Sequence, residues 1–273
     1  MKSNSVLLGP IGTGKSRSVR TLLAEYPDES GRIQKGVGLR VNLLACEPGW
    51  TATNGDLTCD MGFHVAEVLP ANPGWKVGIA WLEKISNMSA EEIKKMNIPA
   101  SIRTGYHQFM DLYKTCVSFK CIRCGEDLGS VDDWGEDTAL VTDGLTGISK
   151  MAVHFTVGPK PTLTWPEVDA AQHHAEGFIN KCVALKCTYV LIAHWAREPG
   201  QVEGGTNITV HTIGQKLASR LLLDTFDEVI LAERSGDDTY TWNMADGRVD
   251  QKARRLPYKA GLRADFTQIF RDR

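Results

Sequence analysis

Gly9-Pro10-Ile11-Gly12-Thr13-Gly14-Lys15-Ser16 fits the pattern G-x-x-x-x-G-K-[ST] at each fixed position. The apolar run Val6-Leu7-Leu8 precedes it, and Val19, Leu22, Leu23 and Tyr26 follow at i, i+3, i+4 and i+7. Strand, glycine loop, helix is the context this pattern needs, and a chance glycine turn would lack both flanks. The spacing predicts a helix over 15–26, stopped by Pro27. Glycines let backbone N–H groups close around phosphate oxygens, and a helix start adds the positive end of a dipole. A nucleoside triphosphate is therefore expected against Gly9, Pro10, Ile11, Gly12, Thr13 and Gly14, with Arg17 just beyond. Lys15 is placed for the β- and γ-phosphates and Ser16 for Mg²⁺.

Working outward, apolar runs at 39–46, 138–142, 188–193 and 229–233 read as further strands. A turn at Ser235-Gly-Asp-Asp leads into a last strand over 239–244. Between the runs lie helical patterns. Ser89-Ala-Glu-Glu92 is a capping box. Tyr106, Phe109, Met110 and Tyr113 share a face, as do Ala171, Ala175, Phe178, Ile179 and Cys182, with Pro166 at a helix start. Near-continuous apolar strands alternating with helices predict an α/β fold, a mainly parallel sheet flanked by helices. The whole chain, 1–273, reads as one domain with an insertion at 48–136.

Ligands of such sheets collect at the carboxyl ends of the strands. The residues there are Glu47, Asp143 and His194. Asp143 is expected to hold Mg²⁺ with Ser16; an Asp-Gly turn is the alternative. Glu47 is the candidate to orient and deprotonate an attacking water, against a plain surface glutamate before a Pro-Gly turn. Gly144, where a second acid might stand, leaves that task to Glu47. His194 either senses the γ-phosphate or is a satisfied core histidine.

The chain has 273 residues, 42% hydrophobic and 23% charged, with net charge −2, which suits a globular protein. It contains no apolar run of 18 residues and no apolar leader ahead of the loop, so neither a membrane span nor a signal peptide is expected. Seven cysteines, an odd number, suggest reduced thiols and a cytoplasmic setting. Eight Lys or Arg against three Asp lie between Arg248 and Arg273. Residues 256–273 thus read as a basic tail, either a polyanion contact or a solvated end.

Cys121-Ile-Arg-Cys124-Gly125 resembles half of a zinc ribbon. A tetrahedral site needs four ligands, and this motif supplies two. Cys116 is the candidate third, with Cys46, Cys59, His64 or His107 as distant candidates for the fourth. A reduced pair in a tight turn is the alternative.

The order of these parts resembles the RecA-like ATPases, in particular the short ones of bacteriophages, some of which anneal single strands. The resemblance covers most of residues 4–256. It implies Mg²⁺-dependent ATP hydrolysis, homo-oligomers and single-stranded DNA as partner, in the host cytoplasm. It also implies two DNA-facing loops, roughly 148–164 and 196–213. Their basic candidates are Lys160, Arg197, His211 and Lys216, and Trp165 and Trp195 could stack on bases. Lys252, Arg254 and Arg255 fall where such ATPases place a cation acting on a neighbour's γ-phosphate; a solvated basic strand end is the alternative. Departures from the family are expected in the absence of a polymerisation segment before the loop, in the length of 48–136 and in its cysteines. A switch acting on protein partners, or a small-molecule kinase, are the competing classes. Kinase lids are usually Arg-rich, whereas 48–136 holds only Arg103 and Arg123.

Overall fold

The computed structural model describes residues 2–69, 74–96, 105–158, 163–199, 206–210, 225–236, 239–246 and 251–270. In chain order, β1 (Asn4–Leu8) enters α1 (Lys15–Ser18), and a 3-10 turn at Val19–Leu22 follows. Next come β2 (Glu25–Pro27), β3 (Ile33–Lys35), β4 (Arg40–Ala45), α2 (Trp50–Asn54) and β5 (Phe63–Glu67). Helices α3 (Trp75–Ile85), α4 (Ala90–Lys95) and α5 (Gly105–Val117) precede β6 (Thr138–Asp143). The rest is α6 (Leu145–Val157), α7 (Trp165–Ala184), β7 (Thr188–Ala193), β8 (Trp195–Pro199), β9 (Thr206–Val210), β10 (Glu228–Arg234), β11 (Tyr240–Asn243) and β12 (Leu262–Arg263).

Eight strands form one sheet in the order β12-β11-β10-β1-β7-β6-β4-β5. The six from β10 to β5 are parallel, and β11 and β12 add an antiparallel edge. Side chains alternate across the pleat, so each strand feeds two cores. Leu8, Leu140, Leu191 and Leu231 join α5, α6 and α7 on one face. Leu7, Leu43, Val141, Ile192 and Ile230 meet Leu22, Trp242 and Phe266 on the other. The chain is thus an α/β protein, its sheet covered on both sides, as parallel strands require.

Three expectations need correction. The helix expected over 15–26 ends early. Val19, Leu22, Leu23 and Tyr26 are all buried, so their periodicity reports burial rather than one helix. The Asp28 carboxylate accepts hydrogen bonds from Ser30, Arg32 and Gln34, which folds 25–35 into a hairpin instead. The loop expected over 148–164 is helical to Val157, because Ile148, Met151 and Ala152 pack into the core. The basic end, 256–273, is no solvated tail as far as Phe270. Leu256, Leu262, Phe266, Ile269 and Phe270 are buried, β12 pairs with β11, and the Phe266 N–H donates to Thr21 Oγ1 at 2.9 Å. Strands β2, β3, β5, β8, β9 and β12 are not among those expected; of these, β5 lies within 48–136 yet extends the central sheet beside β4.

Candidate nucleotide cleft and metal centre

Register places the functional strand ends in one row. Ala45 pairs with Asp143, Asp143 with Ile192, and Ala193 with Leu8. Gly9, His194, Asp143 and Glu47 therefore follow one another along the sheet's carboxyl edge. His194, Asp143 and Glu47 border a cleft of about 870 Å³, lined also by Lys15, Ser16, Trp50, Thr53, Lys150 and Trp195. That size suits a small-molecule ligand, for which about 300–1,000 Å³ is usual.

The glycine loop is shaped by contacts that side chains would block. A Cβ on Gly9 would lie 2.6 Å from the Ala232 carbonyl oxygen, and one on Gly14 would lie 2.6 Å from the Tyr240 ring. Gly14 also has φ +78°, which favours glycine. Thr13 Oγ1 donates to the Pro10 carbonyl at 2.9 Å. Lys15 Nζ donates to the Gly9 and Pro10 carbonyls at 2.8 and 2.7 Å. Burial lowers the Lys15 ammonium to about 8, against the pull of Asp143 and Glu47. Arg17 turns away from this cleft, with an ion pair to Glu29 at 3.4 Å.

Ser16 Oγ donates to Asp143 Oδ2 at 2.8 Å. Burial raises the Asp143 carboxyl, opposed by that hydrogen bond. Glu47 leans over from β4. Its Oε1 accepts the Gly147 N–H at 2.9 Å, and its Oε2 lies 3.4 Å from His194 Nε2. The His194 contact leads the causes that lower the Glu47 carboxyl, so Glu47 stays ionised at neutral pH. The cleft wall is anchored to the loop from behind. Asn54 Nδ2 donates to the Ser16 carbonyl at 2.8 Å, and Arg20 grips Asp56 through two hydrogen bonds of 3.0 Å.

Sequence reading missed Lys150, Trp50 and Thr53 at this cleft. Lys150 stands in the second turn of α6, within the stretch where a loop rather than a helix was expected. Of the other candidates, Trp165 is exposed at the start of α7, and Trp195 packs against the core beside the cleft. Arg254 is bound to Asp227 at 2.7 Å, and the Arg255 guanidinium donates to the Lys2 carbonyl. The backbone at Lys252 bridges to Val229. These groups neighbour the start of β10, the end of the sheet opposite Lys15 in the same chain. Lys160, His211 and Lys216 lie outside the described residues, and of Arg197 only the backbone in β8 is described.

A second cluster forms away from the cleft. Cys59, His64, Cys121 and Cys124 each present one ligand atom, all within 4.8 Å of one another. Burial pushes the Cys121 thiol up, but backbone N–H groups of Cys124, Val65 and Arg123 outweigh it and hold the thiol at about 6. Cys116 is not part of the group: it packs against the core, and burial pushes its thiol up to about 12. His64 enters through β5, and Cys59 through the short turn before it.

No protein-family model matches the chain, and no curated protein matches it. Among the described residues, no helix is long and apolar enough to cross a membrane.

Proposed function

We propose that this chain is a RecA-like, Mg²⁺-dependent ATPase. The observation carrying the reading is the 2.8 Å contact between Ser16 and Asp143 at the glycine loop, with Glu47 on the next strand end. A hydroxyl and a carboxylate oxygen, both hard donors, suit Mg²⁺, which would neutralise charge on the phosphates. Lys15 would leave its loop carbonyls for the β- and γ-phosphate oxygens.

Glu47 would then accept a proton from water as the water oxygen attacks the γ-phosphorus. The bond from that phosphorus to the β–γ bridging oxygen breaks, leaving ADP and phosphate. Its lowered carboxyl keeps Glu47 ionised for this role, at some cost in base strength. Lys150, whose charge reaches Glu47 across the cleft, would add a cation in cis. Lys252, Arg254 or Arg255 of a neighbouring copy would supply one in trans within a homo-oligomer.

His194 links Glu47 to the β8–β9 ribbon, which begins at the next residue. Changes at the γ-phosphate would thus reach the ribbon, where the resemblance expects single-stranded DNA. Phosphate release from ATP and Mg²⁺, with Lys15→Ala as control, tests the ATPase. Equal release by the two proteins would refute it. Added oligo-dT at low salt tests the partner: unchanged turnover and no filter retention would redirect the search to protein partners.

A further inference from the structure

We infer that Cys59, His64, Cys121 and Cys124 bind one structural zinc ion that ties β5 to the hairpin at 119–129, where Phe119 exchanges backbone hydrogen bonds with Leu128 and Gly129 and Lys120 bridges Asp127. Zinc–sulfur bonds of about 2.3 Å at the tetrahedral angle hold two sulfurs about 3.8 Å apart. Cys59 Sγ and Cys121 Sγ are 3.8 Å apart. A sulfur and an imidazole nitrogen on one zinc stand about 3.6 Å apart. Cys124 Sγ and His64 Nδ1 are 3.7 Å apart. All seven cysteines are free thiols, so no disulfide explains the approach.

The surroundings are built for a metal as well. The Val65 N–H donates to Cys121 Sγ at 3.5 Å, the kind of contact that steadies a thiolate ligand. The Ile122 N–H donates to the Val65 carbonyl at 2.8 Å, which locks the Cys-x2-Cys turn to β5. Gly125, directly after Cys124, has φ +77°, so the turn returns toward Cys121 at a position suited to glycine. Three thiolates and one imidazole, soft donors in a closed set, select zinc over Mg²⁺ or Ca²⁺. With four protein ligands there is no open position, so the role is structural.

The ion would cross-link segments 62 residues apart in sequence. Its hairpin also touches the cleft wall. The Arg123 guanidinium donates to the Leu57 carbonyl and lies 5.9 Å from the centre of the Trp50 ring.

The full chain, purified under reducing conditions without chelator, is expected to carry close to one zinc by elemental mass spectrometry. Cobalt exchanged into it should give the intense visible bands of a tetrahedral ion and a thiolate charge-transfer band. Cys116→Ser should keep both. Cys121→Ser should lose zinc affinity by more than the roughly 10- to 100-fold that outer-shell changes cost. The cobalt spectrum of the unsubstituted protein decides the matter even if Cys121→Ser fails to fold. Less than a tenth of a zinc per chain with only a weak octahedral cobalt spectrum would overturn the inference. So would iron in place of zinc, or a Cys59–Cys121 disulfide under reducing conditions.

Discussion

Glu47 fills the space into which a side chain on Gly144 would project: a Cβ there would lie 2.6 Å from Glu47 Cγ. Gly144 also has φ +114°, which L side chains rarely adopt. The residue after Asp143 is therefore glycine because a carboxylate arrives from the neighbouring strand. Gly144→Ala is expected to displace Glu47 and cost about 1–2 kcal/mol in backbone strain. Displacement of about 1 Å lowers turnover on the order of a hundredfold. Denaturant melts and steady-state phosphate release measure the two effects. A variant with the parent's turnover would separate Glu47 from the chemistry.

Glu47→Gln keeps the shape and the Gly147 contact but removes the carboxylate proposed to accept the proton. Turnover should fall about 10²- to 10⁴-fold while ATP affinity stays within about threefold. Fluorescent-nucleotide titration and single-turnover hydrolysis read these separately. Weakened binding with intact turnover would assign Glu47 to holding ligand instead.

The glycine loop was legible because it is local: eight consecutive residues carry it. Glu47 and Asp143 were legible because each ends an apolar strand, and parallel strands share one functional edge. Their contact with Gly144 and His194 was not, since strand order is set by long-range pairing. The helix over 15–26 misled because a buried 3-10 turn and strand show the same apolar spacing as an amphipathic helix. The metal cluster was half legible. Cys121 and Cys124 announce themselves by spacing, whereas Cys59 and His64 depend on β5, five residues with few strand signals around them. Cys116 is near the motif in sequence, but α5 carries it into a core position.

Phe266 is fully buried, its ring 5.0 Å from Trp242 at 78°. Phe266→Ala is expected to destabilise the chain by about 3–5 kcal/mol through lost burial and the cavity left behind. Urea unfolding followed by tryptophan fluorescence measures it. A loss below about 1 kcal/mol would mean the chain end is an accessory to the core.

Lys15 supplies a pH dependence with a defined sign. In the folded chain, burial brings its ammonium from 10.5 down to about 8. Below pH 8 it is charged and ready for a polyanion. Above that it is neutral unless the ligand's charge restores its proton, so triphosphate binding takes up protons there. Affinity for ATP should be flat from about pH 6.8 to 7.5. It should then fall as pH rises through 8, approaching tenfold per unit for one coupled proton. Lys15→Arg, protonated throughout, should bind with a flat profile over the same range, whatever its absolute affinity. Calorimetry in buffers of different ionisation enthalpy counts the proton directly. A fall that persists in Lys15→Arg would place the titrating group elsewhere in the cleft.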